Sequence, residues 1–294
     1  MTHISQLITL SDGRTLEVAA CGDSLGRAVL FHHGTPGSAL FASGFDRAAA
    51  ERGYRLLTTS RAGYGRSSRL EGRTVASVVD DSRQTLNHFG VESYMAVGWS
   101  GGGPHALACA ATDAPRCRGA ISLAGVAPRT DAFDWTDGMG PENVEEFALA
   151  LQGGEEYELH IKTMADGSRN TTEANVIERF GGLLSEPDKI ALGDENFRFV
   201  LAAAMVDAGT TGHYGFLDDD QVFVKEWGFD LGAISVPTEI WYGDQDLMVP
   251  PSHGKYLVSK IRGATEFHRA SDGHISIITA HLDELFDHLD ALTS

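Results

Sequence analysis

Short apolar or β-branched runs recur along the chain: Ala28–His32 (AVLFH), Arg55–Thr59 (RLLTT), Tyr94–Gly98 (YMAVG), Ala120–Ala124 (AISLA), Thr238–Gly243 (TEIWYG) and Thr265–Arg269. Between them the apolar spacing changes to a helical period. Phe45–Arg52, Gly103–Thr112 and Pro251–Ile261 read as helices, and Thr74–Phe89 puts Val75, Val78, Val79, Leu86 and Phe89 on one stripe. Ile275–Leu292 reads as one amphipathic terminal helix. Strand–helix alternation predicts an α/β fold, a mostly parallel sheet with helices on both faces. Ahead of it, Gln6–Leu10 and Thr15–Cys21 flank Ser11-Asp12-Gly13 and predict an antiparallel pair.

The alternation fails between about Val126 and Phe229, where helix formers dominate (PENVEEFALALQ, NVIERFGGLL, NFRFVLAAAMV). This predicts a core built from 1–126 and 230–294 with a helical insertion at 127–229. A chain of 294 residues buries roughly 75% of its extended-chain surface, so no staple is needed for stability. The three cysteines, Cys21, Cys109 and Cys117, follow no zinc spacing and read as reduced, mostly buried thiols. Lys and Arg number 23 against 41 Asp and Glu, a net charge of −18. Phosphate backbones and acidic membrane surfaces repel such a protein, so neither nucleic acid nor membrane is an expected partner. No apolar run approaches the ~18 residues of a membrane span, and Met1–Leu10 has neither a basic start nor a cleavage site. A cytoplasmic protein, monomer or homodimer, acting on a small molecule is expected.

Chemistry concentrates in three places. Gly98-Trp99-Ser100-Gly101-Gly102 follows a strand and precedes a helix, the setting in which a strained turn lifts a serine hydroxyl above a sheet. A serine needs a base within reach, itself oriented by a carboxylate. Of the 12 histidines, His274 lies in Ser271-Asp272-Gly273-His274, the loop after the last strand, at the sheet edge where ligands gather. His281 and His288 read as surface residues of the terminal helix, and His268 as a strand residue. Trp241-Tyr242-Gly243-Asp244-Gln245-Asp246 offers two carboxylates that spacing alone does not separate; Asp246 stands nearer the next helix. Asp218-Asp219-Asp220 reads as a helix start or solvated face, and Glu145, Glu146, Glu155, Glu156 and Glu158 as an exposed helix face. No nucleotide or metal motif is present, so no cofactor is expected.

These motifs, with His33-Gly34-Thr35-Pro36-Gly37 and Arg61-Ala62-Gly63-Tyr64-Gly65-Arg66-Ser67, resemble in order those of the α/β-hydrolase-fold serine hydrolases, over nearly all of the chain outside the insertion. The resemblance implies an eight-stranded sheet, a nucleophile Ser100, a base His274 and the acid Asp246 rather than Asp244. It also implies that the insertion is a cap. Backbone N–H groups of Thr35 and Gly101 would form the oxyanion hole, in a loop fixed by His33 and Gly34. Arg61 and Arg66 read as pinning loops more than lining the mouth. Trp99, Trp135, Phe147 and Tyr214 are the expected pocket residues. The implied activity is hydrolysis of a small neutral ester, thioester or lactone, with anionic substrates disfavoured by the net charge unless Arg61, Arg66 or Arg129 makes a local basic site. His-Gly-Thr-Pro-Gly is also similar to the oxyanion loop of proline iminopeptidases, although their Gly-Gly-Ser-Trp-Gly elbow differs from the one here. A peptidase of that kind, or a non-catalytic small-molecule receptor on the same fold, are the alternatives.

Overall fold

The computed structural model describes residues 5–292, so the first four positions of Met1–Leu10 lie outside the described residues. Eight strands form one sheet in the order β1-β2-β4-β3-β5-β6-β7-β8. They are β1 (Ser5–Thr9), β2 (Thr15–Gly22), β3 (Arg27–His32), β4 (Tyr54–Ser60), β5 (Tyr94–Trp99), β6 (Cys117–Leu123), β7 (Thr238–Gly243) and β8 (Thr265–Arg269). The hairpin β1–β2 is antiparallel and joins β4 antiparallel; every pairing from β4 through β3 to β8 is parallel. All six residues of β5 and of β7 are buried. Strands covered on both faces have no need to alternate, which is why these read as continuous apolar runs.

The covering helices on the two sides of the sheet are α1 (Asp46–Glu51), α2 (Val78–His88) and α3 (Gly103–Thr112) in the first half. In α3, Gly103 to Ala110 are all buried, so it has no polar stripe. Between β6 and β7 lie six α-helices: α4 (Pro141–Gln152), α5 (Gly154–Ser168), α6 (Val176–Arg179), α7 (Glu186–Ala191), α8 (Glu195–Ala208) and α9 (Tyr214–Phe223). The chain closes with α10 (Pro251–Lys260), α11 (Ser276–Thr279) and α12 (Leu282–Leu292). Among the described residues no helix is long and apolar enough to cross a membrane.

The terminal segment corrects the sequence expectation of one helix. It breaks at Ala280-His281, where the His281 ring turns back to Asp272 and Glu284, 2.7 Å from each. Before the break Ser276, Ile277 and Ile278 are all buried; after it only Leu285, Phe286 and Leu289 are. Cys109 and Cys117 are buried free thiols and Cys21 is half-buried. A 3-10 helix over Ala39–Phe45, capped by Ser38, has no counterpart in the sequence reading. It brings Phe41 flat against Trp99, ring centroids 4.9 Å apart, and so supports the floor of the site.

Candidate active site

A parallel sheet delivers the residues that follow each strand to one edge. Ser100 follows β5, Asp246 lies three residues beyond β7, His274 follows β8, and His33-Gly34-Thr35 follows β3. The turn at Ser100 is tight enough to leave no room for side chains around it. A Cβ on Gly98 would sit 2.1 Å from the Gly102 carbonyl oxygen, and one on Gly102 2.0 Å from that of His32. Ser100 itself adopts φ +57°, a left-handed conformation that costs a non-glycine residue ~1–3 kcal/mol and persists only where the surroundings enforce it. Small neighbours and a forced backbone together raise its side chain out of the sheet.

His274 stands beside this turn. The Trp99 indole N–H donates to the His274 carbonyl at 2.9 Å, and the two rings lie 5.3 Å apart. The His274 Nδ1 is 2.8 Å from Asp246 Oδ2, while Asp246 Oδ1 accepts the backbone N–H groups of Met248 and Val249, both at 2.8 Å. This arrangement assigns the ring hydrogen to Nδ1 and leaves Nε2 as the acceptor. Burial alone would lower the His274 pKa, but the charge and hydrogen bond of Asp246, with Asp188 adding to them, raise it above its ordinary value. Asp244 pairs instead with His268 at the partly exposed rim, 2.9 Å away.

Gly101 faces Thr35, since a Cβ on Gly101 would meet Thr35 Oγ1 at 2.3 Å. Their backbone N–H groups are thereby carried by two loops that converge next to Ser100. His33 is fully buried, donating from Nδ1 to the Gly34 carbonyl at 2.7 Å and accepting the Arg61 N–H on Nε2 at 3.1 Å. Burial and then Arg61 hold its pKa well below the usual imidazole range, so it is a neutral loop fastener. Arg61 is buried too, bonding the His33 and Gly34 carbonyls, Thr35 Oγ1 and Asp219. Arg66 pins its own loop to the buried Glu17, 2.7 Å away.

Two buried carboxylates from the inserted helices grip these loops, and neither was foreseen. Asp219 of α9 accepts from Thr35 Oγ1 at 2.6 Å, Tyr64 Oη at 2.9 Å, Arg61 at 2.6 Å and Arg73 at 2.7 Å. Asp188 of α7 accepts the backbone N–H groups of His274 (3.0 Å), Ile275 (2.8 Å) and Ser276 (3.0 Å) and the Ser185 hydroxyl (2.9 Å). The solvated reading of Asp218-Asp219-Asp220 is therefore wrong: all three are buried, because arginines from the core loops and Tyr157 reach up to meet them. Glu146 is likewise buried rather than on an exposed face.

A cavity of about 310 Å³ opens above Ser100, lined by Thr35, Pro36 and Gly101 below and by Phe147, Met164, Phe180, Met205 and Phe216 above. Of the four expected pocket residues only Phe147 lines it. Trp99 is spent between Phe41 and His274, and Trp135 packs edge-on behind Phe147 with its N–H on the Ala127 carbonyl. Tyr214 lies outside, over the Arg69 guanidinium at 4.0 Å. The cation on the cavity wall is Arg179, not Arg61, Arg66 or Arg129. A larger groove of about 1320 Å³ runs along the flank past Arg73, Arg129 and Trp227, without Ser100; it is open and mixed in charge.

Comparison with known proteins places the molecule among relatives. A family model described as alpha/beta hydrolase fold matches residues 27–156. An uncharacterised hydrolase of Bacillus subtilis, YcgS, is 26% identical over 270 residues, covering 90% of this chain and 89% of its own. A non-heme haloperoxidase of Rhodococcus erythropolis is 26% identical, covering 83% and 82%. Among solved structures, an alpha/beta hydrolase fold protein from Nakamurella multipartita superposes with a TM-score of 0.70 at 24% identity, covering 98% of each chain.

Proposed function

The chain has the α/β-hydrolase fold, and on that premise we propose that it is a serine hydrolase of small neutral carboxylic esters, thioesters or lactones. The observation that carries the reading is Ser100 at φ +57° on the β5–α3 turn, with the His274–Asp246 pair at the same sheet edge. Ser100 Oγ attacks the substrate carbonyl while His274 Nε2 takes the hydroxyl proton. Asp246 holds the ring and offsets the imidazolium charge. The Thr35 and Gly101 N–H groups receive the oxyanion of the tetrahedral intermediate, whose collapse expels the alcohol, thiol or ring oxygen with the proton from His274. Water, activated by the same base, then hydrolyses the acyl-enzyme. The inserted helices act as a cap that bounds the cavity and excludes bulk water.

The mostly apolar cavity wall supports a compact, moderately apolar substrate, and a net charge of −18 disfavours anions approaching from solution. A cytoplasmic enzyme with neither nucleic acid nor membrane as partner fits the same reading. Ser100→Ala should leave the fold intact and lower turnover of a p-nitrophenyl ester by ~10⁴–10⁶, as removal of an attacking group does. A fluorophosphonate should label Ser100 alone. Undiminished turnover in the variant, or a label on another serine, overturns the reading.

A further inference from the structure

Two carboxyl groups line the cavity that holds Ser100, Glu146 from α4 and Asp220 from α9. Asp220 is fully buried and Glu146 6% exposed. The arginines nearby are committed elsewhere: Arg61 and Arg73 to Asp219, Arg69 to Asp218. The remaining charged side chain on the cavity wall, Arg179, is itself exposed. From α5, Tyr157 donates to the Leu217 carbonyl at 2.8 Å and, at 3.3 Å, to Asp220 Oδ2. Asp220 Oδ1 accepts from no N–H or hydroxyl group, and the neighbour left to Asp220 is the Glu146 carboxyl, with which it shares a hydrogen bond.

A buried polar atom without a partner costs free energy, and two acids side by side cost more unless they hold protons. Burial first, then mutual repulsion, pushes Asp220 well above the carboxylate range, and burial pushes Glu146 up to about 8. Such a pair serves no packing need that a leucine or methionine would not meet better. Its location supplies the reason for it. Phe216, Asp220 and Phe223 share one face of α9 at helical spacing, and the Phe223 ring lies 2.9 Å from where a Cβ on Gly101 would be. Asp220 thus stands about one helical turn, ~5 Å, from the residue that packs over the turn at Ser100.

We propose that Glu146 and Asp220 are the polar anchor of the substrate cavity, taking a hydroxyl or primary ammonium group carried on the substrate near its reacting carbonyl. This rests on the serine-hydrolase reading and narrows its substrate class to esters bearing a hydrogen-bond donor. The donor gives the acid pair a further partner in a cavity walled mostly by aromatic, methionine and aliphatic side chains, so an ester lacking it leaves the acids bonded only to each other and to Tyr157. A hydroxyl binds the protonated pair as it stands. An ammonium binds best once the pair has lost a proton.

The test measures binding without turnover. Ser100→Ala protein is titrated calorimetrically with ethyl butanoate, ethyl 3-hydroxybutanoate and ethyl 3-aminobutanoate. One of the two donor esters should bind about tenfold tighter than ethyl butanoate. That preference should vanish when either Glu146→Met or Asp220→Leu is added; both stay near the native side-chain volume while removing the carboxyl oxygens, and the more soluble of the two suffices. Tighter binding of the amino ester as pH rises from 6 to 8 identifies an ammonium site, and a hydroxy-ester preference that weakens over that range identifies a hydroxyl site. Equal binding of all three esters, or a donor preference that survives both substitutions, overturns the proposal. Hydrolysis of all three by the Ser100 enzyme at equal rates removes the anchor while leaving the serine-hydrolase reading intact. Donor-selective binding without hydrolysis of any of them counts against that reading alone.

Discussion

Burial pulls the His274 pKa down and Asp246 pulls it up, and Asp246 wins. A base must be neutral to accept a proton, so activity falls as pH drops through its pKa. With that pKa raised, the acid limb of kcat/KM should lie above the ~6.5 of a free imidazole. A limb at or below that value would mean that Asp246 does not hold its charge next to the ring. Asp246→Asn should lower kcat by about 10⁴, since the amide favours the wrong tautomer. Asp244→Asn, on an exposed pair with His268, should change it less than about threefold. Residue chemistry of this kind was partly readable in advance. The positions of Ser100 and His274 at one sheet edge follow from the strands and small-residue turns that precede them, whereas the place of Asp246 beside His274, rather than Asp244, depends on how the chain bends after Gly243. The Gln245 N–H bonds the Asp272 carbonyl at 2.8 Å across that bend, and this distant contact is not written in the local sequence.

At the scale of elements, the helix α7 grips the loop that carries His274. Asp188 closes three backbone N–H groups there, and a Cβ on Gly273 would meet its Oδ2 at 2.4 Å, so the contact requires a glycine. Asp188→Ala should lower kcat/KM by about 10–100-fold through loss of charge-assisted bonds. Asp188→Asn should keep more of the activity and move the acid limb downward, because one of the charges that raises His274 is gone. A purely structural role would leave the limb where it was. The strands and the flanking helices were legible because apolar period is a local property. The site residues supplied by the insertion were not. Asp188 and Asp219 look like ordinary helix-surface acids until tertiary packing brings loops 80 or more residues distant against them, and Glu146 until α9 packs over it. The same blindness placed Trp99, Trp135 and Tyr214 in the cavity, since aromatic identity says nothing of which way a side chain points.

Across the whole molecule the acid pair couples pH to stability. Glu146 titrates near 4.5 when unfolded and is pushed up to about 8 when folded. A raised folded pKa means that its favourable contribution is complete below about 4.5 and is lost as pH climbs through 8, with a slope of at most ~1.4 kcal/mol per pH unit per proton. Urea unfolding at pH 5, 7 and 9 should show this decline, and Glu146→Gln should flatten it; an equal decline in the variant would assign the loss to other groups. The two carboxylate grips, Asp219 on the Thr35 loop and Asp188 on the His274 loop, carry one more consequence. Neither the inserted helices nor the sheet edge can come apart without breaking the buried Arg61–Asp219 ion pair and stripping Asp188 from the three backbone N–H groups it closes. The two parts should therefore melt cooperatively, in a single transition whose far-UV and near-UV dichroism curves coincide, rather than as a roof that loosens first over a core that survives it.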